Sequence, residues 1–278
     1  MAAFEDYLEV EFKFIPDETE GDAVAWFTDM FAPSYGFAKW PPCANLDIYL
    51  DTPDLRLYRA NTPLRLRRWA TPFKLKQGIS ANFKYPADPG EGLRRRELKT
   101  ILSEDQAWQV CNGRIVGETL EHAARSLGLS QGKPILFSPT AVISTLQTLY
   151  VLRPRALGGA TALARGKESD LLLLTFEHCT VHEAPGPDLR RFLRNGMLDV
   201  DPARPTAEFF EAELEIVALP DYFEHAEELY LKAFYAVRGR GNQMPSRSKY
   251  TAAINGIHGL DDAIDAIPRM DGPPGEQQ

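Results

Sequence analysis

The residues able to do chemistry in this sequence are charged side chains spaced two apart. Tyr7 to Ile15 reads YLEVEFKFI, in which Glu9, Glu11 and Lys13 alternate with Val10, Phe12 and Phe14. Arg65 and Arg67 alternate with leucines in LRLRRW (64–69), and Arg95 and Glu97 recur in LRRREL (93–98). Glu211, Glu213 and Glu215 alternate with Ala212, Leu214 and Ile216. In an extended strand, side chains two residues apart share a face and stand about 7 Å from each other. Carboxylates so placed offer hard oxygens to Mg²⁺ or Mn²⁺, and arginines offer a bidentate fork to oxyanions.

The elements that position these groups are mostly strands. Alternation predicts strands at 7–15, 46–50, 64–69, one or two within 73–85 with a break at Gly78, 93–101, 141–153, 171–182 and 208–217, and a last one at 246–254. Helical patterns occupy 20–32, 103–129 and 221–237, with a short one at 187–195. Gly113 and Gly117 are placed to split the second, and Asp221 to cap the third. The spacings suit antiparallel pairing better than repeated βαβ units. Two architectures accommodate the charged faces. In a sandwich they are solvated outer surfaces. In a closed barrel they line a polar lumen, and the apolar faces point outward beneath the helices. Charges in such a lumen must be paired or ligand-bound, because uncompensated buried charge costs several kcal/mol or more.

Composition narrows the function classes. The chain has 278 residues, 44% hydrophobic and 25% charged, with 31 Lys and Arg against 39 Asp and Glu, for a net charge of −8. That balance argues against general nucleic-acid or anionic-membrane binding. Cys43, Cys111 and Cys179 are far apart and odd in number, which fits neither a zinc site nor a disulfide framework and points to a reducing, cytoplasmic setting. The acidic start MAAFEDYLEV lacks the apolar stretch of a signal peptide, and the longest aliphatic run, 171–174, is far too short to span a bilayer. Gly158-Gly159 reads as a turn, since no Gly-Lys-Ser/Thr follows it. Residues 1–258 read as one domain and 259–278, ending DGPPGEQQ, as a flexible tail.

EVEFK at 9–13 fits the Glu-x-Glu-x-Lys opening of the CYTH family, the triphosphate tunnel metalloenzymes, and the chain resembles that family in order along most of its length. DIYLDTPD (47–54) is similar to its second strand and turn. PLRLRR (63–68), NFKYP (82–86) and RRREL (94–98) resemble its basic strands. LLLTFEHCTV (172–181) and AELEIV (212–217) resemble its acidic strands, and SRSKY (246–250) its closing motif. The resemblance implies an eight-stranded antiparallel β-barrel tunnel, a mainly β (α+β) fold with helices packed outside. It implies a triphosphate-containing small molecule as substrate and a divalent metal, Mg²⁺ or Mn²⁺, as cofactor.

Carried over motif by motif, Glu11, Glu213 and Glu215 hold a metal that orients the phosphate chain, and Glu9 and Glu177 help to place a second that activates water. Glu97 joins the metal-facing acids, and Lys13 completes the catalytic lining. Arg65, Arg67, Lys84, Arg95 and Lys249 bind phosphates. Lys74 and Lys76 compete with Lys84, and Arg94 and Arg96 with Arg95; Glu211 reads as a rim residue, Glu177 has an outward-facing alternative, and His178 and His182 read as a surface pair. Six inward acids against six inward bases leave this lumen formally neutral. One departure stands out. Thr145 and Gln147 occupy positions where the family usually carries basic residues, and Arg153, of the same parity, is the candidate to replace them. The implied activity is metal-dependent hydrolysis of inorganic triphosphate or a nucleoside or organic triphosphate. The alternatives are a class IV-type adenylate cyclase making cyclic AMP from ATP, and a non-catalytic polyphosphate- or nucleotide-binding module. Oligomeric state is left open, a homodimer included.

Overall fold

The computed structural model describes residues 4–70, 77–87, 94–128, 137–155, 169–183, 206–245 and 248–258. Eight antiparallel strands close into a barrel in the order β1-β5-β4-β3-β2-β6-β7-β8. They are β1 (Phe4–Phe14), β2 (Tyr35–Asp51), β3 (Leu64–Ala70), β4 (Gln77–Pro86), β5 (Arg94–Leu102), β6 (Ser138–Pro154), β7 (Leu172–Glu183) and β8 (Ala207–Ile216). The helices are α1 (Glu20–Phe31), the single turn α2 (Arg56–Arg59), α3 (Glu104–Cys111), α4 (Glu118–Ser126), α5 (Phe223–Gly239) and α6 (Lys249–His258). The expected helix at 187–195, the Gly158-Gly159 turn and the tail at 259–278 lie outside the described residues.

The barrel wall is inverted with respect to an ordinary core. Val10, Phe12 and Phe14 point outward and pack with Leu174, Ala212 and Leu214 beneath α1 and α5, through Phe27, Phe31, Tyr230 and Ala233. Phe12 meets the rings of Tyr230 and Phe234 edge-on at 5.2 and 5.5 Å. On the other side Leu64, Leu66, Phe83 and Leu98 pack beneath α3 and α4, through Ala107, Val110, Leu120 and Ala123. The helical stretch at 103–129 divides at the expected glycines, both in the left-handed region at φ 78° (Gly113) and 85° (Gly117). A capping box of Ser103 and Gln106 starts α3.

Three expectations are corrected. The strand expected at 46–50 begins eleven residues earlier, at Tyr35. Pro41 and Pro42 fall in the register shift between Trp40 and Cys43, where the ladder is already broken and missing N–H groups do little harm. Asp221 does not cap α5: it lies in a 3₁₀ turn, Pro220–Tyr222, and the helix starts at Phe223 with no side-chain cap. The last strand expected at 246–254 is instead helix α6. Tyr250, Ala253, Ile254 and Ile257 follow helical rather than alternating spacing, and the Ser248 hydroxyl accepts the Thr251 N–H at 3.1 Å, as an N-cap does.

That helix closes one end of the barrel. Tyr250, Ala253 and Ile254 pack against Tyr49, Ile143, Cys179 and Val181, the inward-facing residues at that end. Tyr49 and Tyr250 stack at 5.0 Å. Buried Asp51 ties the floor together, accepting the N–H groups of Thr52, Leu57 and Tyr58 and the Tyr250 hydroxyl at 2.7–2.9 Å.

The inverted wall predicts unequal costs for two outward phenylalanines. Phe12→Ala, under helix α5, should cost about 3–5 kcal/mol. Phe210→Ala, 63% exposed on the uncovered outer face of β8, should cost about 1 kcal/mol or less. Urea denaturation measures both, and equal losses would contradict this placement of the cores.

Candidate functional site

Between the floor and the open end lies a cavity of about 360 Å³ whose lining includes Glu9, Glu11, Arg65, Arg67, Lys84, Glu97, Glu177, Glu213, Glu215 and Lys249. Strand parity puts all but Lys249 there, each alternating with an outward residue of its strand, and Lys249 enters from the head of α6. Of the other expected site residues, Lys13 pairs in register with Glu213 and reaches the same acids from below. Arg95 has the inward parity of Glu97 and lies opposite Glu9, without forming part of the cavity lining. Arg153 donates to Asp170 at 2.6 Å and is likewise not a lining residue. Lys74 and Lys76 fall outside the described residues.

The deepest cluster joins β1, β7, β8 and the first residue of α6. Lys13 Nζ pairs with Glu211 at 2.8 Å and with Glu213, while Lys249 Nζ pairs with Glu213 at 2.9 Å, with Glu211 at 3.4 Å and with Glu177. One oxygen from each of Glu177, Glu211 and Glu213 lies within 4.8 Å of the others. Burial works against ionising Glu213, but the ammonium groups of Lys13 and Lys249 override it and hold its carboxyl well below the usual range. Burial and the charge of Glu213 push Glu177 up.

A second cluster joins β1, β4 and β5. Lys84 Nζ lies 2.6 Å from Glu9, 3.4 Å from Glu97 and 3.7 Å from Glu11, and Asn82 donates to Glu97 at 2.5 Å. Burial opposes the ionised form of both Glu9 and Glu97, yet they part company. Lys84 and Arg65 hold Glu97 at about 2. Glu9, crowded by Glu11, rises to about 8, and its Oε2 is buried without a hydrogen-bond partner. Burial, Glu9 and Glu11 together push Glu215 well up.

Sequence reasoning missed two acids of this wall. Asp47, fully buried on β2, accepts two bonds of 2.7 Å from Arg67 and one of 3.4 Å from Arg65. Burial alone would raise its pKa; Arg67 and Arg65 hold it at about 2. The signal was present, since Asp47 stands in register with Arg67, but a lone aspartate in LDIYL shows no charged alternation. Glu211, expected at a rim, is buried against Lys13 because α6 closes that end of the barrel beneath it. Six carboxylates of the lining face five cationic groups, Arg65, Arg67, Lys84, Lys99 and Lys249, and just outside it Asp47 and Glu211 stand against Lys13 and Arg95, so carboxylates exceed cationic groups by one and the formally neutral lumen becomes an acidic one. β6 does not redress the balance: Thr145 and Gln147 are buried and uncharged, and Gln147 accepts from Asn45 and Cys43 at 2.7 Å and donates to Glu177.

Such a wall fits a divalent cation. Its donors are hard carboxylate oxygens, three of them converge, and one buried oxygen lacks a partner. The convergent set Glu177, Glu211 and Glu213 differs from the expected grouping of Glu11 with Glu213 and Glu215, because Lys249 draws the β7 and β8 acids together. The two histidines remain apart from it: His178 stacks on Phe210 at 4.3 Å, and His182 lies 3.4 Å from Ser144.

A family model described as the CYTH domain matches residues 8–164. No curated protein sequence matches the chain. Among solved structures, a candidate adenylate cyclase from Bacillus halodurans is similar at 14% identity and a TM-score of 0.51, over 89% of this chain and 97% of that one. The candidate adenylyl cyclase HpAC1 from Hippeastrum, described as having a dominant triphosphatase activity, aligns at 12% identity and a TM-score of 0.47, over 92% and 96% of the two chains. The PH1819 protein of Pyrococcus horikoshii OT3 aligns at 14% identity and a TM-score of 0.41, over 89% and 98%. At such identities the Bacillus likeness is one of fold.

The Asp47 pairing is open to a direct test. Asp47→Ala should cost about 3–5 kcal/mol at neutral pH by leaving Arg67 and Arg65 short of a buried partner. The folded-state pKa lies below the unfolded value, so this contribution is complete above about pH 4 and fades as pH falls toward 2. Denaturant curves for wild type and variant should draw closer between pH 7 and pH 3; a gap unchanged by pH would contradict the pairing.

Proposed function

The chain belongs to the CYTH family, and on that premise we propose that it hydrolyses a triphosphate inside the barrel with the aid of Mg²⁺ or Mn²⁺. The observation that carries this reading is the coexistence, in one cavity, of convergent carboxylates in excess with Arg65, Arg67, Lys84 and Lys249. The bases do not neutralise every acid, and Arg65 Nε is buried without a hydrogen-bond partner. Cations for the acids and phosphate oxygens for the bases complete both.

Glu177, Glu211 and Glu213, with Glu9, Glu11 and Glu215 beside them, are the residues to hold metal, and Glu97 is engaged by Lys84 and Asn82. A bound divalent cation supplies charge neutralisation and activation of water. The protein's own groups do the rest. Arg65 and Arg67, anchored by Asp47, present guanidinium groups to phosphate oxygens, and Lys84 and Lys249 add point charges. Lys13 keeps Glu213 ionised and pairs with Glu211. Glu9, with Glu177, would help to place the cation that activates the attacking water. Because α6 closes the far end, the chain of phosphates enters terminal group first from the mouth. Positioning and charge neutralisation account for most of the catalysis of phosphoryl transfer. The free thiols of Cys43, Cys111 and Cys179 are in keeping with a cytoplasmic setting.

Phosphate release from tripolyphosphate, ATP, GTP and thiamine triphosphate, with and without chelator, tests the proposal. Turnover should vanish with chelator. Glu213→Ala and Glu9→Ala should each lower kcat by about a hundredfold or more. Arg65→Ala should chiefly weaken phosphate binding, by about 1.5–3 kcal/mol. Cyclic AMP as the product from ATP would replace the hydrolase reading with a cyclase, and metal-dependent affinity without turnover would make the protein a binding module.

A further inference from the structure

The inner wall changes character toward its open end. Tyr7, Trp69, Leu149 and Leu173 line the cavity there. Each lies two residues along its strand from a charged or polar lining residue: Glu9, Arg67, Gln147 and Thr175 respectively. The residues between them point outward, so this collar belongs to the same inward face as the charged middle. It borders solvent: Tyr7 is 37% exposed, and Trp69, Leu149 and Leu173 are half-buried. Contact with water alone favours polar side chains at such positions. A bare phosphate chain favours cations. Lys99, which also lines the cavity, is engaged by Glu5 at 2.9 Å, and the apolar and aromatic groups of the collar serve neither.

Trp69 is also given a seat. It stands opposite Gly78 in the β3–β4 ladder, and Gly78 has the inward parity of Ser80, Asn82 and Lys84. A Cβ on Gly78 would lie 2.7 Å from Cζ2 and 3.2 Å from Nε1 of the indole. Gly78 is not among the glycines at positive φ, so its backbone does not require glycine. What glycine provides is room for the indole to lie against the wall.

We propose that Trp69, laid over Gly78, is a specificity-determining residue: a platform at the mouth for the planar ring of an organic triphosphate, whose phosphates occupy the charged middle of the barrel. The preferred substrate class is thus a ring-bearing triphosphate ester, such as a nucleoside triphosphate, rather than inorganic triphosphate. The inference rests on the triphosphate reading of this cavity and adds the group that the triphosphate carries. Stacking tolerates any base, because every base has a π-face, so Trp69 selects for a ring without choosing which one.

The test compares ATP with tripolyphosphate as substrates, by phosphate release, and their imido analogues as ligands, by calorimetry with Mg²⁺. The proteins are wild type, Trp69→Ala, Trp69→Phe and Gly78→Ala, each checked for folding by circular dichroism. Trp69→Ala should lower the preference for the adenosine compound by about tenfold, through KM and Kd rather than kcat, and Trp69→Phe should restore most of it. Gly78→Ala, which keeps the indole but displaces it, should lower the preference as well. A preference untouched by Trp69→Ala, or an equal loss for both ligands, overturns the proposal. Wild-type protein that binds the ATP analogue through Trp69 yet turns over neither substrate would defeat the hydrolase reading and leave this one standing. Wild-type protein that binds neither analogue would defeat both.

Discussion

The structure depends on the repulsion among carboxylates held inside a closed sheet. Glu9, Glu11 and Glu215 crowd one part of the wall and Glu177, Glu211 and Glu213 another, and the cationic groups present are too few to neutralise them. The consequence is visible in the divided titration of the wall. Where a lysine or arginine is close, as at Glu97, Glu213 and Asp47, the carboxyl is held in its charged form. Where burial and neighbouring acids outweigh the nearest ammonium group, as at Glu9 and Glu215, the carboxyl is pushed up. Protons and divalent cations are alternative answers to the same excess of negative charge, which makes the wall a natural receptor for metal.

Everything outside the lumen follows from having placed the charges within it. With the polar faces turned inward, each strand presents its leucines and phenylalanines to the exterior, and a barrel so inverted needs helices where a sandwich needs none. α1 and α5 cover one flank, and α3 and α4 the other. α6 serves both purposes: Tyr250, Ala253 and Ile254 fill the inward face where it has turned apolar, and Lys249, at the head of the same helix, reaches the acids above. Packing of the floor therefore sets the position of a charged group in the site.

Period-two alternation was enough to read the inward face of β1, β3, β5 and β8, because in those strands charge and apolarity alternate without interruption. The antiparallel barrel and the split at Gly113 and Gly117 were legible for similar local reasons, and the ordered motifs carried the family. What escaped notice depended on partners distant in sequence. Asp47 is a site residue only by virtue of Arg67 across the β2–β3 ladder. Glu211 is buried only because a helix some forty residues later closes the barrel beneath it. The continuation of β2 through Pro41 and Pro42 requires a register shift against β6, a partner about a hundred residues away, and the proline pair read alone argues against a strand. For α6, alternation read over 246–254 led to a last strand, although Tyr250, Ala253 and Ile254 already stand at helical spacing.

The most direct measurement is anomalous diffraction from crystals grown with Mn²⁺ and a non-hydrolysable triphosphate. The account predicts manganese peaks inside the barrel within about 2.2 Å of carboxylate oxygens, drawn from Glu177, Glu211 and Glu213 or from Glu9, Glu11 and Glu215, with the phosphates toward Arg65 and Arg67. Manganese bound only at the outer surface, with the triphosphate held inside by the cationic side chains alone, would contradict it.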